Sequence, residues 1–175
     1  MSRVMVCTLI VLISSGAAKA AAQTASRSDS TLRAVQQRGG EVMGVDQTSS
    51  SHFFDLIPTG ARIVLQRDSV DSRGTATIRA HLRKLASSFA AGDFSMPEAT
   101  HAATVPGTAV MALRRKAISF RVHDLPRGAE VVMTTRDTAA LTAIGEFVRF
   151  QRMDHRSGGA DSTNLHLHRM HHPKP

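Results

Sequence analysis

One segment of the chain occurs twice. Ile57-Pro58-Thr59-Gly60-Ala61-Arg62-Ile63-Val64-Leu65 returns as Leu125-Pro126-Arg127-Gly128-Ala129-Glu130-Val131-Val132-Met133. Each copy runs on to an Arg-Asp pair, Arg67-Asp68 and Arg136-Asp137, and then into a helical pattern. A repeat of this kind constrains the fold more than any single motif. It implies one supersecondary unit used twice, with each copy burying surface that the other exposes. The competing reading is a chance similarity between two ordinary hairpins.

In copy one, His52-Phe53-Phe54-Asp55-Leu56 leads through Pro58-Thr59-Gly60 into Ala61 to Gln66. Turn residues between two β-rich runs predict a hairpin. Ala61, Ile63 and Leu65 share one strand face, with Arg62, Val64 and Gln66 on the other. Asp68 to Ser72 supply side chains able to cap a helix start, and Ile78, Leu82, Leu85 and Phe89 form the helix's apolar stripe.

Copy two repeats these steps. Ile118, Phe120 and Val122 alternate with Ser119, Arg121 and His123. Pro126-Arg127-Gly128 turns, and Ala129, Val131 and Met133 alternate with Glu130, Val132 and Thr134. Asp137 or Thr138 caps a helix whose one side is traced by Leu141, Ile144, Val148 and Gln151. Setting Asp68 against Asp137 places a three-residue insertion in copy one. Ile78 then meets Ile144, Leu82 meets Val148 and His81 meets Phe147, while His52 has no counterpart.

Each ββα unit has an apolar strand face and an apolar helix stripe that it cannot bury alone. The expected fold is therefore α+β: two ββα repeats forming a four-stranded, largely antiparallel sheet with two helices on one face. The repeats span 52–91 and 116–155 within a single domain, 43–156, and a connector, 92–115, joins them. That connector is long for a compact domain, as functional loops often are. Its string Phe89-Ala90-Ala91-Gly92-Asp93-Phe94-Ser95-Met96-Pro97 reads either as a packed loop with a helix C-cap at Gly92 or as a lid carrying His101. Pro106-Gly107 predicts a further turn, and Val110 to Arg115 a short helix.

The start of the chain reads as an export signal over 1–22. Met1-Ser2-Arg3 is basic, and Val4 to Ile13 is an apolar run of about ten residues, too short to span a bilayer. Ala18-Lys19-Ala20 and Ala20-Ala21-Ala22 are small-x-small cleavage patterns. The expected location is periplasmic or secreted, with a mature form that does not span the membrane. The alternative is an uncleaved anchor or a buried helix. Residues 23–42, rich in Ala, Gln, Ser and Thr, read as a flexible linker with a short helix at Ser30 to Gln37, and 157–175 as a disordered His-rich tail.

Cys7 is the single cysteine and lies in the leader, so thiol chemistry is not expected of the mature chain. The net charge falls from +8 to +6 on export, because the leader carries Arg3 and Lys19 and no acid. A moderately basic exported domain suits an anionic envelope surface. Nucleic acid is not expected, since the chain has no Trp or Tyr and most of its Phe fall in burying patterns.

Standard catalytic signatures are missing: no Gly-x-Ser-x-Gly, no phosphate loop, no His-Glu-x-x-His. What stands out is histidine. His52, His81, His101 and His155 fall in the domain with Met111, and imidazole with thioether suits copper or a similar soft-to-borderline metal. Against this, the domain has no His-x-His or His-x-x-His pair, and the plainer reading is a half-buried, hydrogen-bonded His81 among surface histidines. In the tail, His166, His168, His171 and His172 are able to bind Cu, Ni or Zn loosely without a fold, or simply to be solvated.

Several strings together resemble a small uncharacterised bacterial family. They are Met43-Gly44-Val45-Asp46-Gln47, His52 to Leu56, Ile78-Arg79-Ala80-His81-Leu82, and Phe89 to Pro97 with His101. Pro106-Gly107 with Met111, and Phe147 to Gln151 with Asp154-His155-Arg156, complete the set. The resemblance covers Met43 to Gly158 and brings no activity with it. It nominates His52, His81, His101, Met111 and His155. It also implies a second His where Phe53 stands and one where Gly145 stands, so a site using either is altered here.

The functional expectation is a small exported binding protein for a metal (Cu or Zn) or a small ligand. The alternative is a structural or interaction module of the cell envelope that self-associates through the uncovered sheet face carrying Phe53 and Val64. A weaker third reading is an enzyme using His101.

Overall fold

A computed structural model describes residues 15–44 and 46–157, with side chains from residue 29 onward. The chain divides into two compact units, residues 1–31 and 32–175. Within the first, residues 15–31 are helical, as part of α1 (Ser15–Met43). The second contains the end of α1 and all the other elements.

The sheet has strands β1 (Ser50–Ile57), β2 (Gly60–Arg67), β3 (Ile118–Leu125) and β4 (Gly128–Thr135). They lie in the order β1-β2-β4-β3, every pair antiparallel. The two second strands of the repeat therefore meet at the centre, and the hairpins are related by a pseudo-two-fold axis between them. This is the expected α+β architecture.

The repeated glycine has a reason beyond turning. A Cβ on Gly60 would lie 2.0 Å from the Met133 carbonyl oxygen, and one on Gly128 would lie 1.9 Å from that of Leu65. Leu65 and Met133 are themselves equivalent in the two copies. Each copy thus contributes a glycine that lets β2 and β4 approach closely, one at each end of their pairing.

Strand alternation places His52, Phe54 and Leu56, Ala61, Ile63 and Leu65, Ala129, Val131 and Met133, and Ile118, Phe120 and Val122 on one face. Helices α2 (Ser72–Ala91) and α5 (Thr138–His155) cover this face. Each packs mainly on the other copy's hairpin, α2 on β3 and β4, α5 on β1 and β2. This exchange explains why neither ββα unit is self-sufficient. Ile78, Leu82 and Phe89 of α2 and Ile144, Phe147 and Val148 of α5 are almost fully buried.

Both helices start at residues expected to cap them. Within Asp68 to Ser72 it is Asp71 that caps α2, accepting from the Gly74 N–H at 2.9 Å, and Asp137 caps α5 by accepting from the Ala140 N–H at 2.9 Å. Copy one is therefore longer than copy two in the loop before the cap. Asp68 is occupied elsewhere, accepting from the Ser51 hydroxyl.

One correction concerns residues 23–42, which are helical throughout as part of α1 rather than a linker. The compact unit reaches back to Leu32 instead of starting at residue 43. Val35 is 1% exposed, Met43 joins the core, and Arg38 Nε donates to the Thr100 carbonyl at 2.7 Å. Leu32, Val35, Gly39 and Met43 recur at helical spacing, a stripe obscured by Gly39-Gly40 and by the polar composition.

The connector is also ordered. It forms α3 (Ser95–His101), α4 (Thr108–Leu113) and a 3-10 turn at Arg115–Ala117. Gly92 provides the left-handed cap that ends α2. Of the expected leader, residues 1–14 lie outside the described residues, as do 158–175 with His166, His168, His171 and His172. No described helix is long and apolar enough to cross a membrane.

Candidate functional site

Four of the five nominated domain residues converge. His52 projects from the inner face of β1, His81 from α2, His101 ends α3 and His155 ends α5. All four line one cavity of about 70 Å³. Its walls are largely apolar, with Val42 and Met43 from α1, Phe54 and Ile63 from the sheet, Leu85 and Phe89 from α2, and Met96 and Pro97 from α3. Gln47, Thr100 and Gln151 add polar groups, and among the described residues no Asp or Glu lines the space.

The local sequence accounts for each placement. His52 precedes Phe54 on a strand, so period-two alternation turns both rings to the same side, stacked at 6.3 Å. His81 lies one turn from Ile78 and Leu85, at the edge of the α2 stripe. His155 follows Gln151 by one turn of α5, and that helix end is fixed to the sheet by Arg152 Nε donating to the Phe54 carbonyl at 2.6 Å. The His155 ring centroid is 5.5 Å from His52, 5.5 Å from Phe54 and 5.0 Å from His101.

His101 differs from the other three. Its Nδ1 is hydrogen-bonded to the Asp154 carboxylate and its Nε2 meets Gln151 Oε1 at 2.8 Å. The Phe150 ring packs against it at 5.0 Å. With both nitrogens engaged, His101 has no lone pair free for a ligand. Its contacts hold α3 against α5 and present an edge to His155. The lid reading is replaced by a wall, with a side chain that is 1% exposed.

The other three rings meet rings and apolar walls, and burial favours their neutral forms. Desolvation holds His52 down to about 4, helped by the nearby His81. Desolvation likewise holds His81 to about 4, with Lys84 adding repulsion. His155 is lowest, at about 3, through desolvation and then the proximity of His52 and His101, which Asp154 opposes. At neutral pH the cavity therefore presents three uncharged imidazoles.

Met111 does not join them. It is 0% exposed, within the core, and its helix α4 packs on α5. The residues that the spacing argument missed are Met43, Gln47, Met96 and Gln151. All four occur in the motif strings that accompany the histidines, which is the signal that could have found them. Among the described residues, no group of three or more His, Cys, Asp or Glu side chains stands close enough to hold a metal ion.

The open sheet face is organised differently. Arg62 reaches Asp55 at 2.7 Å on β1 and Glu130 at 3.7 Å on β4, making a charged row across three strands. Phe53, paired with Val64, is 44% exposed there.

Against known proteins, the chain matches no family model, no curated protein and no solved structure.

Proposed function

We propose that the protein is a small binding protein whose ligand enters the histidine-lined cavity beneath α3. The observation that carries this reading is the meeting of His52, His81 and His155 from three separate elements in one mostly apolar space. An apolar pocket with a few convergent polar groups and depressed pKa values is the usual form of a ligand site. Its size restricts the ligand to a single ion or a few heavy atoms. A cavity of about 70 Å³ is roughly half of the ~150 Å³ that an apolar cavity needs to take benzene. The N-terminal leader pattern supports an exported protein of the cell envelope.

Xenon is a suitable probe, since it enters small apolar cavities. Under xenon pressure, methyl and ring NMR shifts at Met43, Met96, His52 and His155 should change together in a saturable way. No perturbation at those residues would remove the reading.

An interaction module is the competing proposal, and the half-exposed Phe53 beside Val64 on an uncovered face favours it. A concentration-independent monomer by sedimentation would count against it.

A further inference from the structure

We infer that the ligand of this cavity is a soft monovalent metal ion, copper(I), held between the paired rings of His52 and His155 with a thioether from the cavity wall, Met43 or Met96. The inference rests on the cavity being the binding site. Four observations lead to it.

The first is donor chemistry. Imidazole and thioether are neutral ligands, and thioether selects copper(I) over harder divalent ions. Calcium and magnesium need oxygen ligands, carboxylates above all, and among the described residues no carboxylate lines the space. The second is charge. A buried ion is costly unless coordinated, and the cost rises with the square of its charge. A monovalent ion is therefore better suited than a divalent one to apolar walls without a counter-ion.

The third is space. The cavity holds about 70 Å³, enough for an ion. The His52 and His155 centroids are 5.5 Å apart, a separation that metal–nitrogen bonds of about 2 Å can bridge once the rings turn to face each other. The rings as they stand do not form a finished site, so binding includes that rotation. The fourth is support. His101, fixed by Asp154 and Gln151, packs edge-on against His155 and limits where its ring can go. His101 is a positioning residue here, in the way that outer-shell groups orient metal ligands.

The test is an anaerobic copper(I) titration of the full chain against a chromophoric copper(I) chelator. His166→Ala, His168→Ala, His171→Ala and His172→Ala are introduced together to silence the tail. One equivalent should bind, with nitrogen and sulfur scatterers in the X-ray absorption spectrum. His155→Phe and His52→Phe should each weaken binding by about 100-fold or more, beyond the usual outer-shell loss, while circular dichroism shows the fold retained. His123→Phe, on the opposite sheet face, should leave binding unchanged. No saturable copper(I) binding, or equal binding in His155→Phe, overturns the inference. Xenon separates the two failures. Xenon entry without copper(I) binding leaves the cavity as a site for another small ligand, whereas neither binding removes both readings.

Discussion

The two ends of the sheet are built alike and finished differently. Gly60 corresponds to Gly128, so His52 corresponds to Phe120. The caps Asp71 and Asp137 correspond, so His81 matches Phe147, Leu85 matches Gln151 and Phe89 matches His155. The sequence comparison found no counterpart for His52; the strand register supplies one. At one end His155 lies 5.5 Å from His52. At the other, Phe89 lies 6.0 Å from Phe120, and it also meets Phe147 at 5.8 Å. One set of positions is filled with phenyl rings that pack on one another, with Phe89 and Phe147 backing onto the cavity. Its image is filled with imidazoles that line the same cavity. The scaffold is duplicated, and the difference between the copies marks the site.

That contrast can be attacked directly. The largest effect is expected at the phenyl-filled end. Phe89→Ala removes an almost fully buried ring and should cost about 3–5 kcal/mol in urea unfolding. Its image, His155→Ala, removes a less completely buried ring and should cost under about 2 kcal/mol at pH 7. Equal losses would mean that the two ends are energetically the same.

Acid should separate the ends next. His52, His81 and His155 have folded-state values of about 4, 4 and 3, below the unfolded value of about 6.5. As pH falls through 6.5 the unfolded chain takes up protons that the folded chain refuses. Stability is thus fully present above about pH 6.5 and declines toward pH 4, by up to ~1.4 kcal/mol per pH unit for each ring. Hydrogen exchange at pH 4.5 should rise first in β1, around His81 in α2 and at the end of α5, and later in β3. Uniform loss of protection would contradict this.

Making the ends alike should blunt the contrast. The double variant His52→Phe with His155→Phe should change stability at pH 7 by less than about 1.5 kcal/mol. It should also flatten most of the acid slope. An unchanged slope would place the sensitivity elsewhere. The smallest effect belongs to the surface of the phenyl-filled end. Arg83 donates to Asp124 at 2.7 Å with both side chains about half exposed, and Arg83→Ala should cost no more than about 1 kcal/mol by thermal unfolding.

The scaffold was legible because it rests on local rules: the repeated Pro-x-Gly turn, period-two strands, and the stripe from Ile78 to Phe89. The exchange of helices between hairpins was not legible, since the periodicity says which face is buried and not against what. The α1 stripe was hidden by Gly39-Gly40 and polar neighbours. The four histidines singled out in the sequence line one cavity, but sequence does not distinguish the surroundings of His101 and His155. That difference comes from Asp154 and Gln151, which lie beside His155 in α5 but about fifty residues from His101 in sequence. Met111 shares its chemistry with Met43 and Met96, yet only the packing of α4 on α5 shows that it is core.

The account depends on His52, His81 and His155 being desolvated, neutral rings in one cavity, and an NMR titration of the histidine side chains tests this most directly. All three should stay neutral at pH 5 and gain protons only near pH 4 or below. Rings that titrate near pH 6.5, as in an unfolded chain, would contradict it.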